Sequence, residues 1–460
     1  MSGNRAVRVA TTGARLVTGA LVAAACVAGT VAAIAAPWPV IAHEPAQAAV
    51  DPSPGDTVLV CNGDLRDLGR DTQNALQMQS AGSPRLTIGE STGAPDITAL
   101  SVDDLAGAGE VRRVTGAVEG RTAPLIGATE SIAVSDADLS GYAAAPCREA
   151  GIESWLVGGS VQTGARDIIV LTNPGAVPAT VTLTVYGTTR STSTTIVPAG
   201  TQVALPLASI AAGSPTPIVK VVAAGSPVRA VLQSSLTQTL DPIGIDLQDA
   251  VVAPQRRPVI PGVQLVQDEG DGSSSAVLRL FSPGADANAT VTVRASGSSE
   301  VASTFTMDLA ADVPTEMALS ALDPGMYVVS VDADEPVLAG VREQDGAGPG
   351  SDFAWALPAP EIDGEVLTAV PDGPSPVLYL VNDEDVDAAA TVVDTAGGPS
   401  KDVTVPAGSS VAVPVSERTV YSVATSGPVH ASVAVSADGA LAVWPVWPPI
   451  AAEKKITVYP

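Results

Sequence analysis

Cysteine and histidine are the scarcest reactive residues in this chain of 460 residues, which contains three of the first and two of the second. The two histidines, His43 and His430, and the scattered cysteines do not form the ligand spacing of a zinc site. Two histidines also leave no basis for a Ser/His/Asp arrangement, and no phosphate-binding glycine motif occurs. The sequence therefore predicts no catalytic residue, no metal site, no cofactor and no enzymatic activity.

Basic residues and aromatic residues are also few. Lys and Arg total 23 against 49 Asp and Glu, which gives a formal net charge of −26. A nucleic-acid partner is excluded because no basic stripe is present to neutralise phosphates. With only five Trp, six Tyr and three Phe, the cores must consist mainly of Val, Ala, Leu and Ile. Such cores favour thin β-sandwiches over deep ligand cavities.

A repeated block organises the chain. Each copy opens with an apolar run that ends in a turn, at Asn173-Pro174-Gly175 in the first copy, and closes with Pro-Val and an alternating strand. Strict alternation, as in Thr180-Val181-Thr182-Leu183, places successive side chains on opposite faces of a strand, which is typical of a two-sheet sandwich. The three copies span residues 168–236, 276–343 and 376–437.

The spacing of the copies predicts the fold. Corresponding positions are roughly 100 residues apart, about twice the length of a β-propeller blade, so the repeat argues against a propeller. We expect an all-β chain of tandem immunoglobulin-like or fibronectin-like β-sandwich domains after a single N-terminal transmembrane helix. The predicted organisation is a basic cytoplasmic tail at 1–15, a transmembrane helix at 16–36, a linker at 37–56, an irregular β domain at 57–154, three sandwich repeats at 155–258, 259–364 and 365–450, and a tail at 451–460.

The N-terminus carries a targeting signal. Arg5, Arg8 and Arg15 precede an uncharged, largely apolar run at 16–36, which as a helix would span about 30 Å, the thickness of a bilayer core. The positive-inside rule places the N-terminus in the cytoplasm and the bulk of the chain outside. We expect a retained anchor in the plasma membrane. The alternative is a secreted protein after signal cleavage at an A-x-A site, at 33–35 or 46–48.

The remaining cysteines predict a disulfide. Cys26 lies inside the apolar run, and the residues around it do not favour a lipoprotein site. Cys61 and Cys147 follow the apolar run, and an even pair outside the cytoplasm is typical of a disulfide. It would tie the start of the irregular domain to its end. Two separate buried thiols are the alternative.

The few aromatic residues and the acidic clusters supply the remaining candidate binding sites. Trp355, Trp444 and Trp447 are possible glycan contacts if exposed, because indole faces stack on sugar rings; core packing is the alternative. His430 occupies the repeat position held by Arg229 and Leu338, which predicts a permissive outward face. Acidic clusters at 268–271, 332–335 and 383–387 are typical of solvated turns, with loose Ca²⁺ binding as the alternative.

Residues 147–187 carry a resemblance. Cys147 is followed by Glu153-Ser154-Trp155-Leu156-Val157-Gly158-Gly159-Ser160, then Asn173-Pro174-Gly175 and Val185-Tyr186-Gly187. This pattern resembles an uncharacterised actinobacterial family of exported, membrane-anchored proteins, classified as a domain of unknown function. The resemblance implies an envelope location and transfers no catalytic residue.

These observations lead to one functional expectation and one alternative. We expect a non-enzymatic, membrane-anchored extracytoplasmic protein with a structural or protein-interaction role, whose partners are envelope proteins or cell-wall polysaccharide. The alternative is a glycan-binding protein that acts on envelope polysaccharide.

Overall fold

The computed structural model describes residues 3–35, 48–50, 54–69, 74, 77–106, 109–267, 275–449 and 456–458. The chain divides into two units, one formed by 1–52 with 454–460 and the other by 53–453. In the first unit, helix α1 spans Gly3–Ala35 and strand β1 spans Ala48–Val50. Residues Gly13–Ala35 are long and apolar enough to cross a membrane. The predicted apolar N-terminal helix is therefore present, and it begins earlier than 16.

The second unit is built almost entirely from β-strands, as predicted. Its first part contains nine strands. They are β2 (Thr57–Val60), β3 (Leu65–Asp67), β4 (Met78–Gly82), β5 (Arg85–Glu90), β6 (Asp96–Val102), β7 (Leu105–Ala106), β8 (Val111–Gly116), β9 (Ile126–Ser135) and β10 (Ser140–Pro146).

The three sequence repeats follow, with eight main strands each. The first has β11 (Glu153–Leu156), β12 (Ile168–Asn173), β13 (Ala179–Tyr186), β14 (Ser191–Val197), β15 (Thr201–Pro206), β16 (Ile218–Ala224), β17 (Arg229–Gln238) and β18 (Asp241–Asp249). The second has β19 (Val259–Leu265), β20 (Ala276–Phe281), β21 (Ala287–Ala295), β22 (Val301–Leu309), β23 (Thr315–Ala318), β24 (Gly325–Ala333), β25 (Leu338–Gln344) and β26 (Phe353–Ala356). The third has a short extra strand β27 (Glu361–Ile362), then β28 (Glu365–Val370), β29 (Val377–Asn382), β30 (Ala388–Asp394), β31 (Ser400–Val405), β32 (Ser409–Pro414), β33 (Thr419–Thr425), β34 (Val429–Ala437) and β35 (Ala440–Pro445).

Each repeat is a sandwich of two sheets with one strand order. Counting its main strands from one to eight, the outer sheet has the order 1-6-3-4 and the inner sheet the order 5-2-7-8. An immunoglobulin domain places its first strand beside the second and its seventh beside the sixth. Here the first strand lies beside the sixth and the seventh beside the second. The sandwich expectation is confirmed, and the strand order departs from the immunoglobulin one.

The sandwich cores follow from the alternation along the strands. In β13 the residues alternate between buried Val or Leu and more exposed Thr. Their buried faces meet those of the inner sheet in separate clusters of Val, Leu, Ile and Ala, one per repeat. Aromatic residues are few in these clusters, as the composition requires.

The region before the repeats is a reduced fourth copy. Strands β2, β8 and β6 form the 1-6-3 part of an outer sheet, and β5, β9 and β10 form the 2-7-8 part of an inner sheet. The described strands of these two sheets include no counterpart of the fourth or the fifth strand. On the open side, β6 pairs in parallel with β15 of the next copy, joining Ser101 to Thr201. We number the copies one to four in chain order, with this reduced copy as copy one.

The four copies close into a ring. The eighth strands β10, β18, β26 and β35 are innermost, and each contacts the next in a cycle that returns from β35 to β10. Strand β28 of copy four also packs on β5 and β9 of copy one. The spacing argument was right that each copy is larger than a propeller blade, but it did not predict that the copies close on themselves. The domain boundaries stay a prediction.

One further strand completes the first unit. Strand β36 (Ile456–Val458) pairs with β1 in antiparallel fashion, Val50 facing Ile456.

Candidate functional site

The disulfide lies where the ring closes. Cys61 and Cys147 are joined, the pairing expected from the sequence; their sequence separation is 86, and both side chains are buried. Cys61 follows the first strand of copy one, and Cys147 follows its innermost strand. The bond therefore ties both sheets of a copy that lacks two strands. Cys26 lies in α1 and is exposed.

Trp447 and Arg148 contact each other where copy four meets copy one. The Arg148 guanidinium lies 3.3 Å from the centre of the Trp447 ring, so copy one stacks on the end of copy four. Arg148 also donates to Asp249 Oδ2 at 2.8 Å, which connects copy two to the same point. Cys147, Trp444 and Trp447 line one groove here, so the structure brings together three residues singled out in the sequence.

The tryptophans do not form an exposed platform. Trp355 and Trp444 are only 4% and 2% exposed, because they belong to innermost strands β26 and β35. Trp447 is half-buried, with one ring face covered by Arg148. The expectation that these rings are exposed for sugar stacking is therefore wrong for Trp355 and Trp444. Trp155 also lies in a cluster between copies two and three, where it packs on Tyr186 and Phe281.

The repeat position shared by Arg229, Leu338 and His430 faces inward. All three side chains are at most 4% exposed, so the predicted outward face is wrong. Each side chain meets the preceding copy. The Arg229 guanidinium donates to the carbonyl oxygens of Val60 and Pro146. Leu338 packs in the cluster that joins copies two and three.

His430 occupies the same position between copies three and four. Its Nδ1 lies 2.7 Å from the Ala359 carbonyl, and its Nε2 lies 3.3 Å from Asp383 Oδ1. Burial lowers the pKa of His430, but the hydrogen bonds to Asp383 and Ala359 outweigh it and raise the pKa overall. The position is therefore a junction whose chemistry changes from copy to copy.

One buried carboxylate joins all four innermost strands. Asp352 precedes β26 and is fully buried. Its Oδ2 accepts from the backbone N–H of Tyr142 at 2.8 Å and of Leu441 at 3.0 Å, and its Oδ1 accepts from Ile245 at 3.0 Å. These donors lie on β10, β35 and β18. Burial raises the pKa of Asp352, against the N–H groups that favour the carboxylate. No sequence motif marks this residue.

Three more buried acids lie near the centre. Burial raises the pKa of Asp246 to about 8, that of Glu343 to about 8 and that of Asp167 to about 7. Each also accepts backbone hydrogen bonds: Asp246 from Trp355, Glu343 from Gln264 and Asp167 from Ser160. Their geometry is that of structural cross-links between strands and copies.

Two of the three predicted acidic clusters, at 332–335 and 383–387, lie within the described residues, and most of their acidic side chains are exposed. The cluster at 268–271 is outside the described residues. Asp334 accepts from the backbone and side-chain amides of Asn288, and Asp383 pairs with His430. Among the residues that the structure describes, no three His, Cys, Asp or Glu side chains are grouped so as to hold a metal.

The fold and site together define a ring of four β-sandwich copies, disulfide-linked at its closure, in a chain that begins with an apolar helix. The family of unknown function DUF5719 matches residues 102–416, more than half of the chain, and the chain belongs to it. Neither the curated proteins nor the solved structures contain a match. The expected likeness to an uncharacterised domain family is confirmed, while actinobacterial origin and export stay predictions.

Proposed function

We propose that this protein is a non-enzymatic, membrane-anchored component of the cell envelope that acts as a rigid platform for protein partners. The apolar helix preceded by Arg5, Arg8 and Arg15 supports an N-in anchor with the ring outside the plasma membrane. The disulfide supports the same location, because such bonds persist in oxidising compartments. Secretion after signal cleavage is the alternative location.

The main support for the platform role is that buried charged groups bond between the copies. Arg229, Arg279 and Asp352 each bond to backbone groups of other copies; Arg279 donates to the carbonyl oxygens of Val157 and Gly159. Buried charges that are paired in this way hold elements in register rather than supplying a reactive group. The ring is therefore suited to presenting surfaces in a fixed geometry.

The surfaces best suited to a protein partner are the outer edge strands. The fourth strands β14, β22 and β31 end the outer sheets of copies two, three and four. Most of their side chains are partly or fully exposed. An edge strand offers unpaired N–H and C=O groups to which an extended segment of a partner can add.

Site-specific photocrosslinking in native envelope membranes tests the proposal. A photoreactive residue at Thr194, exposed on edge strand β14, is expected to form discrete adducts with a protein partner. The matched control is Thr180, exposed on central strand β13 of the same sheet. Adducts with polysaccharide alone, or equal protein adducts from both positions, would contradict the proposal.

The glycan-binding alternative through Trp355, Trp444 and Trp447 has less support. Two of the rings are buried and the third is covered on one face by Arg148. A stacking platform requires an accessible ring face.

A further inference from the structure

A cleft of about 770 Å³ lies at one end of the ring. The turns between the two innermost strands of three copies line it: Asp138 from copy one, 237–240 from copy two and 346–347 from copy three. The loop 162–166 and the ends of β19 and β25 complete the walls. The cleft depends on the packing of copies one, two and three against one another, since its lining comes from all three. Its volume is that of small-molecule sites, which occur preferentially at junctions between domains.

Among the described residues of this lining, polar, uncharged side chains are the most numerous. Amide and hydroxyl groups can each donate and accept hydrogen bonds, which suits a ligand with many hydroxyl groups. Leu236, Leu240 and Val266 add apolar surface, and Leu240 is 83% exposed. The amide and hydroxyl residues are Gln162, Thr163, Thr237, Gln238, Thr239, Gln267, Ser275 and Gln344.

Arg342 supplies a positive charge at the wall of the cleft. It lines both the cleft and an adjoining cavity of about 100 Å³. The other arginines of these cavities are paired: Arg166 with Asp67 at 3.4 Å and Arg279 with Glu316 at 2.7 Å. Among the described residues Arg342 has no ion pair, and its hydrogen bond to Gln344 Oε1 is long, at 3.4 Å. Burial lowers the pKa of the Arg342 guanidinium, against the carboxylates of Glu316 and Asp167, which favour its charged form but do not lie within ion-pair distance. An anionic partner in direct contact would relieve part of the remaining desolvation cost.

We propose that this cleft binds a saccharide that carries a carboxylate, with Arg342 pairing to the carboxylate and the surrounding amides and hydroxyls bonding to the sugar hydroxyls. Arginine matches a carboxylate with two parallel hydrogen bonds, which gives both affinity and orientation. The proposal is independent of the partner strand suggested above, because turns and loops at one end of the ring line the cleft and the edge strands lie on the outer sheets.

Calorimetric titration of the full chain in nanodiscs tests the proposal. The probes are a glucuronic-acid-containing disaccharide and the neutral glucosyl disaccharide of the same linkage. The acidic probe is expected to bind at least tenfold more tightly than the neutral one. Arg342→Gln should remove this preference by weakening only the acidic probe. The matched control Arg256→Gln removes an exposed arginine that pairs with Glu335, and it should bind both probes as the parent does.

A second variant tests whether both probes bind inside the cleft. Gln238 is exposed at the end of β17, where it borders the cleft, so Gln238→Trp should leave folding intact and block both probes by filling the space. No binding of either probe to the parent overturns the proposal. Equal affinity for the two probes, or an equal loss for both in Arg342→Gln, overturns it as well.

Discussion

At the scale of single residues, the interior of the ring depends on charges that the sequence pattern does not mark. Asp352 follows a Gly- and Pro-rich stretch that resembles an ordinary loop. Its role arises because β10, β18 and β35 bring three N–H donors to one point. Arg229 and His430 were expected on an outward face, because alignment with Leu338 suggested tolerance. The position does accept different residues. It lies at a junction between copies, where Arg229, Leu338 and His430 each make different contacts.

Replacing Asp352 by Asn should destabilise the ring by about 2–4 kcal/mol, because an amide oxygen cannot replace both carboxylate oxygens and leaves buried N–H groups unpaired. Urea unfolding followed by tryptophan fluorescence measures the change. Asp438→Asn, in an exposed turn nearby, is the matched control and should stay within about 0.5 kcal/mol of the parent. Equal stability of the two variants would contradict the role assigned to Asp352.

At the scale of elements, alternation and turn chemistry made the strands of the three repeats predictable. Turn motifs such as Asn173-Pro174-Gly175 and the Pro-Val pair mark where strands end and begin. Copy one was missed because it lacks two strands and most of these turns. One weak signal survives there: Pro124-Leu125 precedes β9 as Pro227-Val228 precedes β17.

The innermost strand β18 has no room for a side chain at Gly244. Gly244 in β18 has φ +130, and an added Cβ would lie 2.4 Å from Asp352 Oδ1. Gly244→Ala should therefore lower the thermal midpoint by several degrees more than Gly284→Ala. Gly284 also has a positive φ of +80, but nothing lies within 4 Å of its added Cβ. Similar midpoints for the two variants would show that the contact with Asp352 is not tight.

The disulfide should stabilise the copy that has fewest strands. Closing a loop of this length is worth about 4–5 kcal/mol in the chain-entropy model. The double variant Cys61→Ser and Cys147→Ser is therefore expected to unfold at markedly lower urea concentration. Cys26→Ser, in the N-terminal helix, is the control and should leave the midpoint unchanged. A reducing agent that lowers the stability of the double variant as much as that of the parent would speak against this account.

At the scale of the whole molecule, ring closure converts a chain of repeats into one structure. Copy four packs on copy one through Leu367, Ala369 and Val420, which contact Leu125. A linear array would leave both end copies with one free face. In a ring every copy has two neighbours, so the loss of one copy exposes apolar surface on two others.

Calorimetry should therefore show one cooperative transition for residues 53–453 rather than separate transitions for each sandwich. Deleting copy four from β28 onward should broaden the transition and lower its midpoint, because the faces of copies one and three become exposed. The intact ring measured under the same conditions is the control. Separate transitions for the individual sandwiches in the intact protein, with those of copies one to three unaffected by the deletion, would indicate a linear array.

Stability should fall as the pH rises from about 5 to about 8. The pKa of Glu343, Asp246 and Asp167 is raised by burial, so over this range the folded state binds more protons than the unfolded state. His430, whose pKa is also raised, loses its stabilising charge in the same direction. Glu343→Gln keeps an acceptor for the Gln264 N–H and removes the titration, so it should flatten the slope of the midpoint against pH. An exposed control, Glu384→Gln, should leave the slope unchanged.

The sequence by itself determined the β architecture, the threefold repeat, the apolar helix and the cysteine pairing. These features follow from local periodicity, from turn residues and from residue counts. Each of these can be read directly from the amino-acid sequence. The tertiary structure alone decided that a fourth copy exists, that the copies form a ring, and that Trp355, Trp444 and His430 are buried. Those outcomes depend on contacts between residues a hundred or more positions apart, such as Tyr142 with Asp352. The local sequence of one copy does not specify which other copy will pack against its faces.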